Sequence, residues 1–130
     1  LWIGYHEDLA HLIYAGSDLF LVPSLYEPCG LTQLIALRYG TVPVVRETGG
    51  LADTVFDADN SGKEKDEVNG WTFRDPTPAG LDSALSRAIG CWFESPDDFA
   101  RISQNGMKYD YSWNNPTSDY LNIYDFVNAM

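Results

Sequence analysis

Basic residues are scarce in this sequence: eight Lys and Arg stand against nineteen Asp and Glu, for a formal charge of -11 over 130 residues. Neither charge sign nor counterion release then favours a nucleic-acid backbone or an anionic membrane as partner, and an anionic small ligand needs local donors instead of a global field. Cysteine is limited to Cys29 and Cys91, too few for a disulfide framework, which points to a reducing compartment. No apolar run has bilayer length and no leader pattern is present, so a soluble chain without a membrane span is expected. The two histidines, His6 and His11, match no metal-ligand spacing, and neither a bound metal nor a cofactor is expected. No methionine precedes Leu1, which points to a piece of a longer chain. What is present is a 45% hydrophobic composition, enough for one compact domain with its own core.

The apolar pattern alternates along the chain. "LWIGY" reads as a short strand, and "EDLAHLIYAG" as a helix with Leu9, Leu12 and Ile13 on its covered face and Gly16 closing it. "DLFLVPS" reads as a buried strand ending at Pro23. "LTQLIALRYG" is a helix with Leu31, Leu34 and Ile35 inward and Gly40 at its end, and "TVPVV" is another strand. "RETGGLADTVF" is a Gly-Gly turn leading into apolar residues, and residues 57–70, "DADNSGKEKDEVNG", form a charged, solvated loop before the strand "WTF". Leu81, Ala84, Leu85, Ala88, Ile89 and Trp92 mark an amphipathic helix. "SPDDFARISQNGMKYD" supplies a second, with Ser95 as cap and Pro96 in the first turn. A terminal helix follows from about Thr117, with Tyr120, Ile123, Tyr124 and Val127 on one face. Strand and helix in alternation are the signature of a parallel sheet with crossover helices, so the fold class is α/β.

The stretch "LYEPCGLTQL", residues 25–34, follows the carboxyl end of one strand and precedes a helix, the place where open α/β sheets hold ligands. Gly30 would open close backbone approach, and the amides of Leu31 and Thr32 would be first-turn donors able to hold a phosphate without a basic side chain. Glu27 would then stand beside whatever the phosphate carries, as an acceptor for sugar hydroxyls or a stabiliser of developing positive charge. The same residues also fit a plain structural role, with Glu27 capping the helix and complementing its dipole. Cys29 has no histidine base in sequence and reads as a small packing residue, not a nucleophile. "TGG", residues 48–50, is a tight turn after another strand end, positioned to line the same crevice.

The run "LVPSLYEPCGLTQLIALRYGTVPVVRETGGLADTV", residues 21–55, closely resembles the C-terminal domain of starch synthases and bacterial glycogen synthases, retaining glucosyltransferases that use ADP-glucose. The likeness extends from "IGYHEDLAHLIYAGSD" to "YDYSWNNPTSDYLNIYDFV" and, among subtypes, is greatest to plant or algal soluble starch synthases of type III. It implies a two-domain GT-B glycosyltransferase with facing Rossmann-like domains, each a parallel sheet with flanking helices. Residues 1–115 would belong to the second, nucleotide-sugar-binding domain. Residues 116–130 would form a terminal helix crossing back towards an N-terminal domain outside this sequence, leaving Tyr120, Tyr124 and Phe126 partly exposed here.

Position by position, the resemblance implies that Tyr5 stacks on the adenine of the donor and that Glu27 is the catalytic carboxylate contacting the transferred glucose. It implies that Cys29 and Gly30 border the sugar, that the Leu31 and Thr32 amides hold the diphosphate, and that Gly49 and Gly50 form a second Gly-Gly motif of the site. Two positions depart from the pattern. Glu47 stands where relatives carry Lys or Arg, with Arg46 keeping one positive charge nearby. Ile35 stands where the wider group of retaining transferases has a second, ribose-contacting glutamate.

The implied reaction moves glucose from ADP-glucose to the 4-hydroxyl at the non-reducing end of an α-1,4-glucan. The implied partners are those two substrates and the N-terminal domain of the same parent chain. The implied location is a plastid (chloroplast or amyloplast) for a plant or algal parent, and the cytoplasm for a bacterial one. Alternatives are a related transferase with another donor such as UDP-glucose, or a non-catalytic regulatory relative.

Overall fold

The structure, a computed structural model, describes residues 2–114 and 116–130. In chain order the elements are α1 (Glu7–Gly16), β1 (Leu19–Val22), α2 (Thr32–Tyr39), β2 (Val42–Arg46), α3 (Gly50–Thr54), β3 (Trp71–Phe73), α4 (Pro78–Glu94), α5 (Pro96–Lys108) and α6 (Pro116–Asn128). The three strands form one parallel sheet in the order β1-β2-β3, with Leu19 opposite Val42 and Val44 opposite Trp71. The α/β class and the parallel sheet expected from the alternation are therefore present.

The centre is β2, whose side chains alternate between two covered faces. Val42 and Val44 join Trp71, Phe73, Ala84, Ala88, Phe99 and Ile102 on one side, and Val45 joins Val22, Leu51 and Val55 on the other. A strand buried on both faces has to be apolar at every position, which is why "VPVV" reads as a continuous run, and each valine removed from water contributes about 1.5–3 kcal/mol. Local chemistry sets the boundaries. Gly40, at φ 80, closes α2 in the left-handed conformation, and Thr77 caps α4 by accepting a hydrogen bond from the Gly80 amide ahead of Pro78.

Several expectations are corrected. Residues 2–5 of "LWIGY" are not a strand (Leu1 lies outside the described residues): β1 is an edge strand, and among the described residues no further strand offers them a ladder. As an edge, β1 is only half covered, with Leu21 exposed. α1 buries Tyr14, stacked against Tyr39 and in tilted contact with Phe20, while Leu12 and Ile13 face solvent. α2 buries Gln33, Ala36 and Leu37, and Leu31 is exposed. Residues 57–70 are not simply a solvated loop, because Asp57, Val68 and Asn69 are buried. Ser95 sits at the α5 N-cap but makes no side-chain capping bond. Asn115, the last residue of the expected domain, lies outside the described residues. The exposure expected on the terminal helix is present: α6 buries nothing, and Tyr120, Tyr124 and Phe126, with Ile123 and Val127, are exposed.

Candidate functional site

Parallel strands bring their carboxyl ends to one edge of the sheet, so the segments after Val22 and after Arg46 emerge side by side. There the loop carrying Glu27–Leu31 and the turn Glu47–Gly49 meet. The Gly50 amide donates to the Glu27 carbonyl at 3.3 Å. The approach is so close that a Cβ on Gly49 would lie 1.8 Å from the Glu27 carbonyl oxygen, and one on Gly50 1.8 Å from that of Cys29. Only glycine permits this packing, and at Gly49 the left-handed φ of 47 adds a second reason. The expectation that "TGG" lines the same crevice as the first loop agrees with this contact.

Glu27 is half-buried, and its Oε2 accepts from the Ser24 hydroxyl at 3.0 Å. Among the described residues it makes no capping bond to α2, whose N-cap is Leu31, so the capping half of the plain structural role left open by the sequence is not adopted. No side chain among the described residues caps the start of α2, where Leu31 and Thr32 are both exposed and first-turn amides lack an intrahelical acceptor. Cys29 is an exposed free thiol, which corrects its reading as a packing residue. Gly30 is buried at φ 74, and the space beside its Cα is filled by the Gln33 side chain. Its missing Cβ therefore makes room for a protein group. Tyr5 stands 88% exposed ahead of α1, with no hydrogen bond or ring contact among the described residues.

Arg46 is a strut. Its Nη1 donates to the carbonyls of Leu25 (2.9 Å) and Ser24 (3.4 Å), and its Nε to that of Arg74 (3.2 Å), tying the loops after β1 and β3 to the end of β2. Glu47, the departure from the expected base, accepts from the Thr72 hydroxyl at 2.7 Å and from Arg74 Nε at 2.6 Å. Burial alone would raise its carboxyl pKa, but these two bonds outweigh that and hold it below the usual range. Next to it, Asp57 is gripped by both terminal nitrogens of Arg87 at 2.8 and 3.0 Å and by the Thr72 amide at 2.7 Å. Here too burial pushes upward and the Arg87 fork with the amide bonds wins, leaving the carboxyl depressed.

Sequence reasoning missed Ser24, Gln33, Thr54, Asp57 and Arg87. For Arg87 a signal existed, since a lone cation beside Ala84 and Ala88 on the buried side of a helix implies an acidic partner. Ser24 lies only three residues before Glu27, a spacing that could have joined them, whereas Gln33 and Thr54, and Asp57 and Arg87, pair over 21 and 30 positions, too far for a local pattern. Among the described residues no group of three or more His, Cys, Asp or Glu is arranged to hold a metal ion, and no helix is long and apolar enough to cross a membrane.

Comparison with known proteins gives a consistent set of relatives. The family described as "Glycosyl transferases group 1" matches residues 1–108. Glycogen synthase 2 of Methylococcus capsulatus is 62% identical over 127 residues, covering 98% of this chain and 26% of that protein. Soluble starch synthase 3, chloroplastic/amyloplastic, of Solanum tuberosum is 50% identical over 95% of this chain and 10% of its own length. Among solved structures, the catalytic domain of starch synthase IV from Arabidopsis thaliana, bound to ADP and acarbose, superposes with a TM-score of 0.94 at 41% identity, covering 100% of this chain and 26% of that one. Sucrose-phosphate synthase from Thermosynechococcus elongatus, at 22% identity and a TM-score of 0.71, shares the fold. The chain thus spans about a quarter of the length of the bacterial relatives it matches.

Proposed function

The chain belongs to the group 1 glycosyltransferases, and on that premise we propose that it is part of a retaining glucosyltransferase that moves glucose from ADP-glucose to the non-reducing end of an α-1,4-glucan. The observation that carries this reading is the arrangement at the sheet edge: the Glu27 carboxylate, held by Ser24, beside the uncapped start of α2 and walled by the Gly49–Gly50 turn. Transfer with loss of a nucleoside diphosphate develops positive charge at the anomeric carbon and negative charge on the leaving group. Glu27 answers the first and the Leu31 and Thr32 amides, with the helix dipole, the second. Cys29, exposed between them, borders the sugar, and Tyr5 offers its face to the adenine.

The relative bound to ADP supports an adenine donor over UDP-glucose. The chain's half of the site is incomplete alone, so the isolated 130 residues are inactive, and the exposed apolar face of α6 docks on the N-terminal domain of the parent. The bacterial glycogen synthases match at higher identity than the potato type 3 enzyme, so similarity does not favour the type III subtype or a plastid location.

The test is glucose incorporation into a short α-glucan by the full-length parent, with ADP-glucose and UDP-glucose in parallel. Incorporation from ADP-glucose, falling about 100-fold or more in Glu27→Gln with the melting temperature unchanged, is the expected result. Incorporation unaltered by Glu27→Gln would remove Glu27 from the mechanism. No transfer from either donor would favour the regulatory alternative.

A further inference from the structure

We infer that Gln33 is a positioning residue: its buried side-chain amide, acting with Thr54, fixes the separation of the two loops that frame the site. The consequence for catalysis rests on the function proposed above, whereas the loop contact does not.

Gln33 is the second residue of α2 and is fully buried. Its Nε2 donates to the Gly30 carbonyl at 2.9 Å and to the Thr54 hydroxyl at 3.2 Å. Thr54 Oγ1 in turn donates to the Gly50 carbonyl at 2.6 Å, and the Gly50 amide donates to the Glu27 carbonyl at 3.3 Å. The chain of bonds leaves the first loop at Gly30, crosses to the second at Gly50 and returns to the first at Glu27. Both protons of the amide are used. Its oxygen is the one buried side-chain N or O without a hydrogen-bond partner among the described residues.

Leaving a buried amide oxygen unpaired is a net cost, and Met or Leu would fill the same volume without it. What the amide adds is direction. The Gly30 backbone lies close against it, at a distance where a Cβ would fall 2.7 Å from Oε1. The amide therefore sets how far Gly30 and the following Leu31 and Thr32 amides stand from the Gly49–Gly50 turn. Gln33 touches no ligand itself. It acts through the carboxylate at one end of the loop and the helix-start amides at the other, where a shift of about 1 Å is worth about 100-fold in rate.

The test uses the full-length parent and four variants: Gln33→Met, Thr54→Val, Thr54→Ser, and the double Gln33→Met with Thr54→Val. Amide hydrogen exchange at Gly50 is measured beside kcat/KM and melting temperature. Gln33→Met and Thr54→Val are each expected to lower kcat/KM about tenfold or more in fully folded protein. Thr54→Ser, which keeps the hydroxyl, should stay near wild type, and the double variant should be no worse than the poorer single one. Exchange at Gly50 should quicken in both single variants. A purely packing role would lower the melting temperature and leave both kcat/KM and Gly50 exchange at wild-type values, which would overturn the inference, as would strictly additive losses. If the wild-type parent transfers no glucose, the function proposed above fails while exchange still decides: faster Gly50 exchange in Gln33→Met or Thr54→Val supports the positioning role, and unchanged exchange in both refutes it.

Discussion

Substituting Ala for Gly50 sets two effects against each other. Gly50 opens α3 with an ordinary φ, so intrinsic propensity favours Ala by up to about 1 kcal/mol. Sterically, the new Cβ would lie 1.8 Å from the Cys29 carbonyl oxygen and 2.6 Å from its carbon. Both are backbone atoms, so no rotamer change relieves the overlap, and the Glu27–Gly30 loop has to retreat by roughly 1.5 Å to restore van der Waals contact. That retreat breaks the bond from the Gly50 amide to the Glu27 carbonyl, worth about 1 kcal/mol, and overpacking adds about 1–3 kcal/mol. The clash wins, for a net destabilisation of about 1–3 kcal/mol. Activity should suffer more: moving Glu27 by an ångström or more corresponds to a loss of about 100-fold in kcat/KM. The assay is donor-saturation kinetics of the full-length parent together with its thermal midpoint. Gly90→Ala serves as the control, because a Cβ on that α4 residue meets nothing within 4 Å. Gly50→Ala retaining kcat/KM within about threefold of wild type, a range smaller than the 100-fold expected for such a displacement, would show that the loops are not held together as described.

The remaining predictions concern protonation. Asp57→Asn should destabilise the parent's domain by about 3 kcal/mol at neutral pH, the low end for a broken buried pair because Arg87 retains 28% exposure. Since the folded Asp57 pKa is depressed, its contribution is complete above the unfolded value of about 3.9 and fades as pH falls through the lower folded value. Denaturant titrations should therefore show the wild-type advantage over Asp57→Asn shrinking below about pH 4; an advantage constant down to acid unfolding would contradict the pairing. Tyr111 behaves oppositely. Partial burial of a side chain that keeps 41% exposure, with a smaller push from Tyr109, raises its phenol to about 12, so the neutral form is favoured in the fold. That contribution is whole below the ordinary value of about 10 and is lost as pH rises through about 12. Relative to Tyr111→Phe, wild-type stability should decline across that window, and parallel curves would place Tyr111 in water.

The fold was legible where one face of an element decides its sequence. Val42–Val45 is apolar throughout because both faces of β2 are covered, and Gly40 announces the end of α2 because only glycine takes that φ cheaply. Helix faces were less legible, since periodicity marks an apolar stripe without saying what covers it. Leu12 and Leu31 belong to such stripes and stand in solvent, while Tyr14 and Gln33 are covered. At the site, loops after parallel strands identified where to look, and Gly49 and Gly50 were legible as a turn lining the crevice, while close approach was expected at Gly30 and is found instead at Gly49 and Gly50. Gln33, Asp57 and Asn69 were invisible for one physical reason. A polar side chain is assigned to solvent unless its partner is known, and their partners stand 13 to 30 positions away, at Thr54, Arg87 and Phe56.

The distribution of charge carries the proposed function one step further. Arg46 is spent on loop carbonyls, Arg74 on Glu47, Arg87 on Asp57 and Asp59, Arg101 on Asp98, and Lys63 on Glu67. Arg38 and Lys108 bond to Met107 and Asn105. No Lys or Arg among the described residues donates to residues 27–32. A diphosphate at the start of α2 would meet only backbone dipoles from this chain, inside a field set by a net charge of -11. Helix-terminus stabilisation of about 0.3–2 kcal/mol is small beside the micromolar-scale affinity, about 8 kcal/mol, that a donor substrate requires. On the proposed function, the balance would be supplied by contacts to the sugar and base and by cationic side chains outside these 130 residues. Donor binding by the parent should therefore fall steeply with added salt, while these 130 residues alone supply shape, a carboxylate and oriented amides.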